Sequence, residues 1–402
     1  MVSRNIPSDR RPRVAAVVEK PIQYFVPHYR QITEDGRIDL EVIYLTDKGV
    51  TPYTYHGAVV KQEQSILDGY RWQMVERSRW LGGMNNFRGL RPKLAGALAR
   101  GAYDAVWFHG YNILGNWIGL ASCVARGTPI LFRGESENFF PRPAWKNLAK
   151  RALLQPLFSH VDAFLYIGTE NRKFYREYHV PEERLFPVPY GVDNAWLRGT
   201  PAERAEWRSA IRAELGLGAD TIVYLNCSKH RVEKRAHDAV AAFCQQPPDA
   251  NAALLMLGDG ELRGQIEQVY RDNQRGHRVV FLGLRPYSEL RKYMAASDVL
   301  VFPSEETWGM AVSEALASGL AILCGDRMAG GPDLVHHDVN GYKFRSRDAS
   351  DLARYMRLIS SDRQRIAAMQ AESLRIADTM SFQVMTDGLI RAVEYALRRT
   401  TE

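Results

Sequence analysis

Short, almost uninterrupted apolar runs recur along this 402-residue chain, and longer segments of helical length separate them. Arg13–Val18, Leu40–Leu45, Asp104–His109, Pro129–Arg133 and Asp162–Gly168 make a first series. Thr221–Cys227, Ala252–Gly258, Arg278–Gly283, Asp298–Pro303 and Leu320–Cys324 make a second. Runs of Val, Ile, Leu and Phe without polar alternation mark parallel strands covered on both faces. Between them lie Arg88–Arg100, Ile113–Ala125, Arg235–Phe243, Leu262–Asn273, Ser288–Ala296 and Thr307–Ser318. Alternating strands and helices predict a doubly wound α/β architecture, and the restart predicts two Rossmann-like domains of roughly five strands each. The rhythm breaks at Val188–Trp207, which sets boundaries of 1–195 and 196–381. In Phe382–Arg399, apolar Val384, Leu389, Ile390, Val393 and Leu397 fit an amphipathic helix. The terminal segment 382–402 is expected to cross back to the first domain.

Apolar residues at 46% and charged residues at 25% supply two cores and exclude a disordered, collagen-like or coiled-coil chain. No stretch approaches the ~18 consecutive apolar residues of a membrane span. The start, MVSRNIPSDRRPR, has no apolar core of a secretory signal, and the four cysteines include no CxxC pair. The expectation is a cytoplasmic protein without disulfides or zinc. Net charge is 53 − 46 = +7. All of the excess falls in residues 1–195, with 26 basic and 19 acidic residues, against 27 of each in 196–402. A basic first half steers toward anionic partners or serves solubility alone.

Ligands of open α/β sheets bind beyond the carboxyl ends of strands, so the residues after each run carry the functional information. After one lies FPSEETWGMAVSEALASGLAI, Phe302–Ile322, where Ser304 or Thr307 is expected to cap a helix. Eight helical steps bring Glu306 and Glu314 to ~80° of each other, on one side of that helix. Gly309 permits close approach to its free N–H groups, and carboxylates there accept hydrogen bonds from sugar hydroxyls. SKHRVEKR follows another strand and clusters Lys229, Arg231, Lys234 and Arg235, cations suited to a pyrophosphate. LGDGELR, from Leu257, makes a tight turn through Gly258. Read singly, these are equally a capped acidic helix, a solvated basic loop and a plain turn.

Together they resemble family 4 retaining glycosyltransferases, the group 1 family with the GT-B fold: two Rossmann-like domains facing each other across a cleft. The resemblance rests on the frame FPS-x-E-x-x-G-x4-EA-x-A-x-G, on SKHRVEKR, on LGDGELR, on RVVFLGLRPYSELRKYMAASDVLVFPS and on HHDVNGYKF, which looks like the family's hairpin. The first half is similar more loosely, through KPIQYFVPHYRQI, DAVWFHGYN, PILFRGES and FLYIGTENRKFYREYHVPEERLFPVPYGVDN, to members from cell-surface polysaccharide pathways. The resemblance implies an acceptor domain followed by a donor domain, and transfer of a sugar from a UDP- or GDP-sugar to a hydroxyl of a glycan or lipid-linked acceptor. It implies that Glu306 contacts the donor sugar and Glu314 the ribose. Gly309 and Met310 would offer backbone N–H groups, with Thr307, Trp308, Arg231 and Gly258 nearby. Lys229 and Lys234 would hold the diphosphate, and His109 would match the family's active-site histidine. The chain departs from the family at Lys229, where arginine is common, and in the loop Glu19–Phe25, which lacks glycine. Gln23, Tyr24, Arg133 and Glu135 are assigned to the acceptor side.

No D-x-D triplet occurs, so basic side chains are expected to replace a metal on the diphosphate, and no cofactor or nucleic acid is expected. Glu135 as a nucleophile competes with an Arg133–Glu135 structural pair, and His109 also reads as a core histidine. His336-His337-Asp338 precedes an Asn-Gly turn and reads as a solvated loop rather than a metal site. In Pro141–Phe158, Arg142, Lys146, Lys150 and Arg151 are interleaved with Trp145, Leu148, Leu153, Leu154, Leu157 and Phe158. That segment either docks peripherally on an anionic inner membrane face or packs as an ordinary helix. Competing functions are a GT-B nucleotide-sugar epimerase and a non-catalytic nucleotide-sugar-binding protein.

Overall fold

The structure is a computed structural model that describes residues 10–46, 53–55, 58–60, 66–75, 92–140, 143–273 and 276–399. The chain divides into Met1–Gly191 with Phe382–Glu402, and Val192–Ser381.

The first unit holds β1 (Arg13–Val18), β2 (Asp39–Tyr44), β3 (Tyr53–Tyr55), β4 (Ala58–Val60), β5 (Arg71–Met74), β6 (Ala105–His109), β7 (Ile130–Arg133), β8 (Ala163–Tyr166) and β9 (Leu185–Pro187). Seven of them form a parallel sheet in the order β5-β2-β1-β6-β7-β8-β9, while β3 and β4 pair as an antiparallel hairpin. Along β1, Val14, Ala16 and Val18 enter one core, and Ala15 and Val17 enter the opposite one. That two-sided burial is why the strand reads as an unbroken apolar run. Helices Val26–Asp35 and Phe382–Arg399 cover the first face through Tyr29, Ile32, Leu389, Ile390 and Val393. The other face is covered by helices 92–101, 114–125, 144–159 and 169–177. The terminal helix lies so close to the sheet that a Cβ at Gly388 would sit 2.0 Å from the Pro187 carbonyl oxygen.

The second unit holds β10 (Ile222–Cys227), β11 (Ala252–Leu257), β12 (Arg278–Gly283), β13 (Val299–Phe302), β14 (Ala321–Gly325) and β15 (Gly341–Phe344). They form a parallel sheet in the order β12-β11-β10-β13-β14-β15. Counted within the unit this is 3-2-1-4-5-6, the order of dinucleotide-binding sheets, and the first unit repeats it with one strand added. The order reverses between β10 and β13 and, in the first unit, between β1 and β6. Each reversal splays the flanking loops apart and opens a crevice at the carboxyl ends of those strands.

Besides the β3–β4 hairpin, three strands were not expected. β5, β9 and β15 are all sheet edges. An edge strand has a single neighbour, so RWQM, LFP and GYKF need no continuous apolar run. β15 also corrects the hairpin expected at HHDVNGYKF: it runs parallel to β14, with Ile322 opposite Gly341. Of the helix expected over Arg88–Arg100, residues 88–91 lie outside the described residues, and the described helix is Pro92–Gly101.

Candidate functional site

In the second unit the crevice lies between the loops after β10 and β13. After β10 the chain runs through exposed Lys229 to a single 3-10 turn, Val232–Lys234, and Arg235 then takes a left-handed φ of 49°. This kink turns the loop back, so that Glu305 N–H donates to the Glu233 carbonyl at 2.9 Å. Lys234 Nζ then reaches Glu306 Oε2 at 2.7 Å. Glu306 Oε1 is buried and has no partner among the described residues. The pair therefore presents a carboxylate with one oxygen neutralised and one available. Arg231 lies on the same loop, exposed, with Glu233 at 3.3 Å.

The LGDG turn braces that loop. A Cβ at Gly258, whose φ is +140°, would fall 1.9 Å from the Ser228 carbonyl oxygen, and Ser228 N–H donates to the Leu257 carbonyl at 3.1 Å. Only glycine lets the two loops touch here. Gly258 is thus required by the packing of the two loops.

The helix after β13 differs from its expected form. It spans Met310–Ala317, and its N-cap is Gly309 at φ +100°, with no side chain capping it. Neither Ser304 nor Thr307 caps it; Ser304 Oγ instead donates to the Lys234 carbonyl at 3.4 Å. Glu306 precedes the helix, on a bridge to Met328, and its carbonyl accepts from Ala329 N–H at 3.0 Å. The ~80° relation between Glu306 and Glu314 therefore does not apply, because they do not share a helix. The cause is Gly309: its left-handed backbone ends the extended segment and starts the helix three residues after Thr307. The first N–H groups, at Met310 and Ala311, lack intrahelical partners and make a positive helix end beside Glu306.

Glu314 lies one turn further on, nearly enclosed, and accepts a hydrogen bond from the Tyr287 hydroxyl at 3.0 Å. Burial raises its carboxyl pKa to about 7, against the opposing pull of that hydrogen bond. Tyr287 also stacks on Trp196, with centroids 5.2 Å apart, and was not identified from sequence. Trp308, expected at the donor, is buried with its indole N–H on Ser313 Oγ at 3.1 Å, so its visible role is to hold the turn. Thr307 and Met310 are half-buried beside it.

In the first unit the crevice lies after β1, β6 and β7. His109 ends β6, with Phe25 edge-on at 4.9 Å and Trp107 at 4.3 Å. Its Nε2 is buried without a partner among the described residues. Burial, then Arg133 and His28, hold the imidazole well below its usual pKa. Arg133 ends β7, and its guanidinium lies 5.5 Å from the Phe25 ring and 4.8 Å from that of Tyr190. The expected Arg133–Glu135 pair makes no direct bond: Arg133 Nη1 donates to the Val188 carbonyl at 2.5 Å, while Glu135 is exposed on the next loop and acts on the guanidinium through its charge. The strand twist carries Glu135 past the sheet end and leaves its neighbour inside. Gln23 and Tyr24 are exposed in the turn before helix Val26–Asp35. Phe25, His28 and Tyr190, which line the crevice, were not singled out from sequence. The signal was present in FVPHY, where Phe25 and His28 are one helical turn apart.

The family described as "Glycosyl transferases group 1" matches residues 208–374, so this segment is a domain of that family. N-acetyl-alpha-D-glucosaminyl L-malate synthase of Bacillus anthracis is 30% identical over 144 residues, 36% of this chain and 37% of that protein. A GDP-mannose-dependent alpha-(1-6)-phosphatidylinositol monomannoside mannosyltransferase of Mycobacterium tuberculosis is 26% identical over 232 residues, 55% of this chain and 58% of that protein. The matches thus span about a third to three fifths of these relatives' own lengths. The crystal structure of Anabaena HepE in complex with UDP and glucose superposes with a TM-score of 0.70, covering 96% of this chain and all of the other, at 16% identity. Two Rossmann-like parallel-sheet units with such neighbours make this an α/β chain of the GT-B type.

Proposed function

We propose that the chain is a retaining glycosyltransferase that moves a sugar from a UDP- or GDP-sugar to a hydroxyl of a glycan or lipid-linked acceptor, without a metal. The observation that carries this reading is the Lys234–Glu306 pair at the β10/β13 switch point, beside the open end of helix Met310–Ala317 and above the enclosed carboxyl of Glu314.

Breaking the anomeric bond makes an oxocarbenium-like carbon and a leaving diphosphate that gains negative charge. Lys229, Lys234 and the N–H groups of Met310 and Ala311 supply positive potential for that charge, in fixed positions. Glu306 Oε1 accepts from donor-sugar hydroxyls and orients the ring. Glu314 binds the ribose hydroxyls, with Arg231 and Gly258 shaping the loop that carries the cations. His109 stands on the acceptor side as a neutral imidazole that can accept or pass a proton. No carboxylate is assigned as a nucleophile, in keeping with transfer on a single face. Relatives named for GDP-mannose and for UDP complexes support a nucleotide-sugar donor.

Membrane docking is the second part of the reading. Helix Ala144–Ser159 buries Leu154, Leu157 and Phe158 while Trp145, Leu148 and Leu153 stand 67%, 70% and 54% exposed. At ~100° per residue the exposed three fall within an arc of roughly 140°. Lys146 and Arg151 flank it, whereas Lys150 turns in over the Phe174 ring at 4.3 Å; Arg142 lies outside the described residues. An apolar face edged by cations suits an anionic bilayer. No helix among the described residues is long and apolar enough to cross a membrane.

The test is thermal melting with UDP, GDP, ADP and their sugar conjugates, with and without EDTA. A ligand at ~100 times its dissociation constant adds ~2.7 kcal/mol, a shift of a few degrees in a chain this size. A shift with one base that EDTA leaves intact is expected. No shift with any nucleotide would overturn the donor-site reading.

A further inference from the structure

Under the Phe25 and Tyr190 rings lies a group of polar side chains that glycosyl transfer as described leaves largely unused. Arg133 is 1% exposed, and beyond its bond to Val188 its Nε and Nη2 are buried with no partner among the described residues. Around it, both ring nitrogens of His28, the Tyr29 hydroxyl, Trp107 Nε1 and His109 Nε2 are buried and equally unpartnered. The rings are contiguous: His28 lies 6.1 Å from Trp107, Trp107 4.3 Å from His109, and His109 4.9 Å from Phe25. Phe382 of the terminal helix closes the far side by stacking on His28 at 6.4 Å.

Buried polar groups are hydrogen-bonded in folded proteins, and a buried guanidinium needs a counter-charge. Here five adjacent side chains break the first rule, and Glu135, the carboxylate that acts on Arg133, makes no bond to it. The set is rich in donors: the guanidinium, the indole, the phenol and one N–H of each imidazole. Burial and Arg133 keep both imidazoles neutral, His28 with a pKa near 3. The cluster therefore carries one positive charge, which Glu135 opposes only from the exposed loop and without a bond. Water alone would satisfy the donors and leave the cation without a directly bonded anion. A single oxyanion would answer both, since it accepts several hydrogen bonds and neutralises the cation.

We propose that Arg133, framed by His28, Tyr29, Trp107 and His109, receives one oxyanion, a carboxylate or phosphate, carried by the acceptor, so that the enzyme selects acidic acceptors. Entry is by displacement of Phe25 and Tyr190, whose rings cover the guanidinium. The acceptor assignment rests on the glycosyl-transfer reading above; the receptor itself does not. The same chemistry is available from the donor diphosphate, and the experiment separates the two sources.

The probes are inorganic phosphate and malonate, compared with chloride at matched ionic strength, read by thermal melting and by the ring 15N resonances of His28 and His109. Saturable stabilisation with movement of both sets of resonances is expected. It should persist in a Lys229→Ala/Lys234→Ala variant, which removes the loop cations, and be lost in Arg133→Met. Replacing the buried cation by an apolar side chain of similar length is expected to preserve folding. Should that variant fail to fold, His28→Leu, expected to weaken phosphate binding about tenfold, and the wild-type resonances carry the test. Silent imidazoles at high phosphate would overturn the proposal. Saturating UDP should leave phosphate binding unchanged; displacement by UDP would assign the site to the donor and overturn the acceptor claim. Nucleotide binding without an oxyanion response sinks this inference alone, and the converse sinks the glycosyl-transfer reading alone.

Discussion

The crevice after β10 and β13 brings a lysine and a glutamate together at 2.7 Å and leaves one carboxylate oxygen over. The crevice after β1 and β6 buries a guanidinium among aromatic rings, with Glu135 acting on it from the next loop and no carboxylate bonded to it among the described residues. Both arise from the same strand reversal, so the topology chose where the ligand-facing loops lie and not what they carry. In the second unit the charges are matched in advance, loops touch through glycine, and backbone hydrogen bonds tie one loop to the next. That is the construction of a site that must hold its geometry while charge develops. In the first unit the polar groups lie unbonded under the Phe25 and Tyr190 rings, the construction expected of a site that the proposed oxyanion completes.

The largest effect that tests this contrast is at Lys234. Lys234→Met removes the cation and strands the Glu306 carboxylate, and kcat/KM should fall by on the order of 10²–10³, measured at several donor concentrations. Glu306→Gln, which keeps shape and loses charge, should fall comparably; full activity in that variant would remove Glu306 from the donor site.

Next in size is Gly258→Ala. Its Cβ meets the Ser228 carbonyl oxygen at 1.9 Å in a backbone conformation that alanine resists. Unfolding in denaturant should show a loss of about 3–4 kcal/mol. A near-neutral result would mean that the two loops are not braced against each other as described.

Glu314 gives the second unit's crevice a pH signature. Its folded pKa is raised from 4.5 to about 7. The folded state therefore binds the proton more tightly than the unfolded one. This contribution is complete below pH 4.5 and is lost as pH rises through 7. The full swing is on the order of 3 kcal/mol. Glu314→Gln should abolish it, so stability curves of the variant and the parent should diverge between pH 5 and 8; parallel curves would show that the carboxyl is not enclosed.

The smallest effect on stability is expected on helix Ala144–Ser159. Trp145→Ser with Leu148→Ser should change stability by no more than about 0.5 kcal/mol, since both are exposed. The same pair should abolish sedimentation with anionic vesicles at low salt. If the parent chain does not sediment either, the docking reading falls.

The chain's own order of residues was enough for the strands buried on both faces, because covering β1 twice leaves no polar position from Val14 to Val18. It was enough for Lys229, Lys234, Glu306 and Glu314 as a candidate set, since residue type and position after a strand are local facts. It was not enough for the edge strands β5, β9 and β15, each of which has a single neighbour. Nor did it give the helix start at Met310. Spacing arithmetic assumes a helix already running, and a φ of +100° at Gly309 delays it until after Glu306. The meeting of Lys234 with Glu306, 72 residues apart, was likewise invisible, because the left-handed turn at Arg235 makes it. Arg133 and Glu135 show the same limit at close range. Two residues apart in sequence, they look like a pair, yet the sheet end puts one inside and the other out. Sequence by itself determined which elements form and which charges the loops carry, through local periodicity and residue chemistry. Tertiary structure alone decided which of those charges meet and which are buried without a partner, because that depends on how distant loops cross at the two switch points.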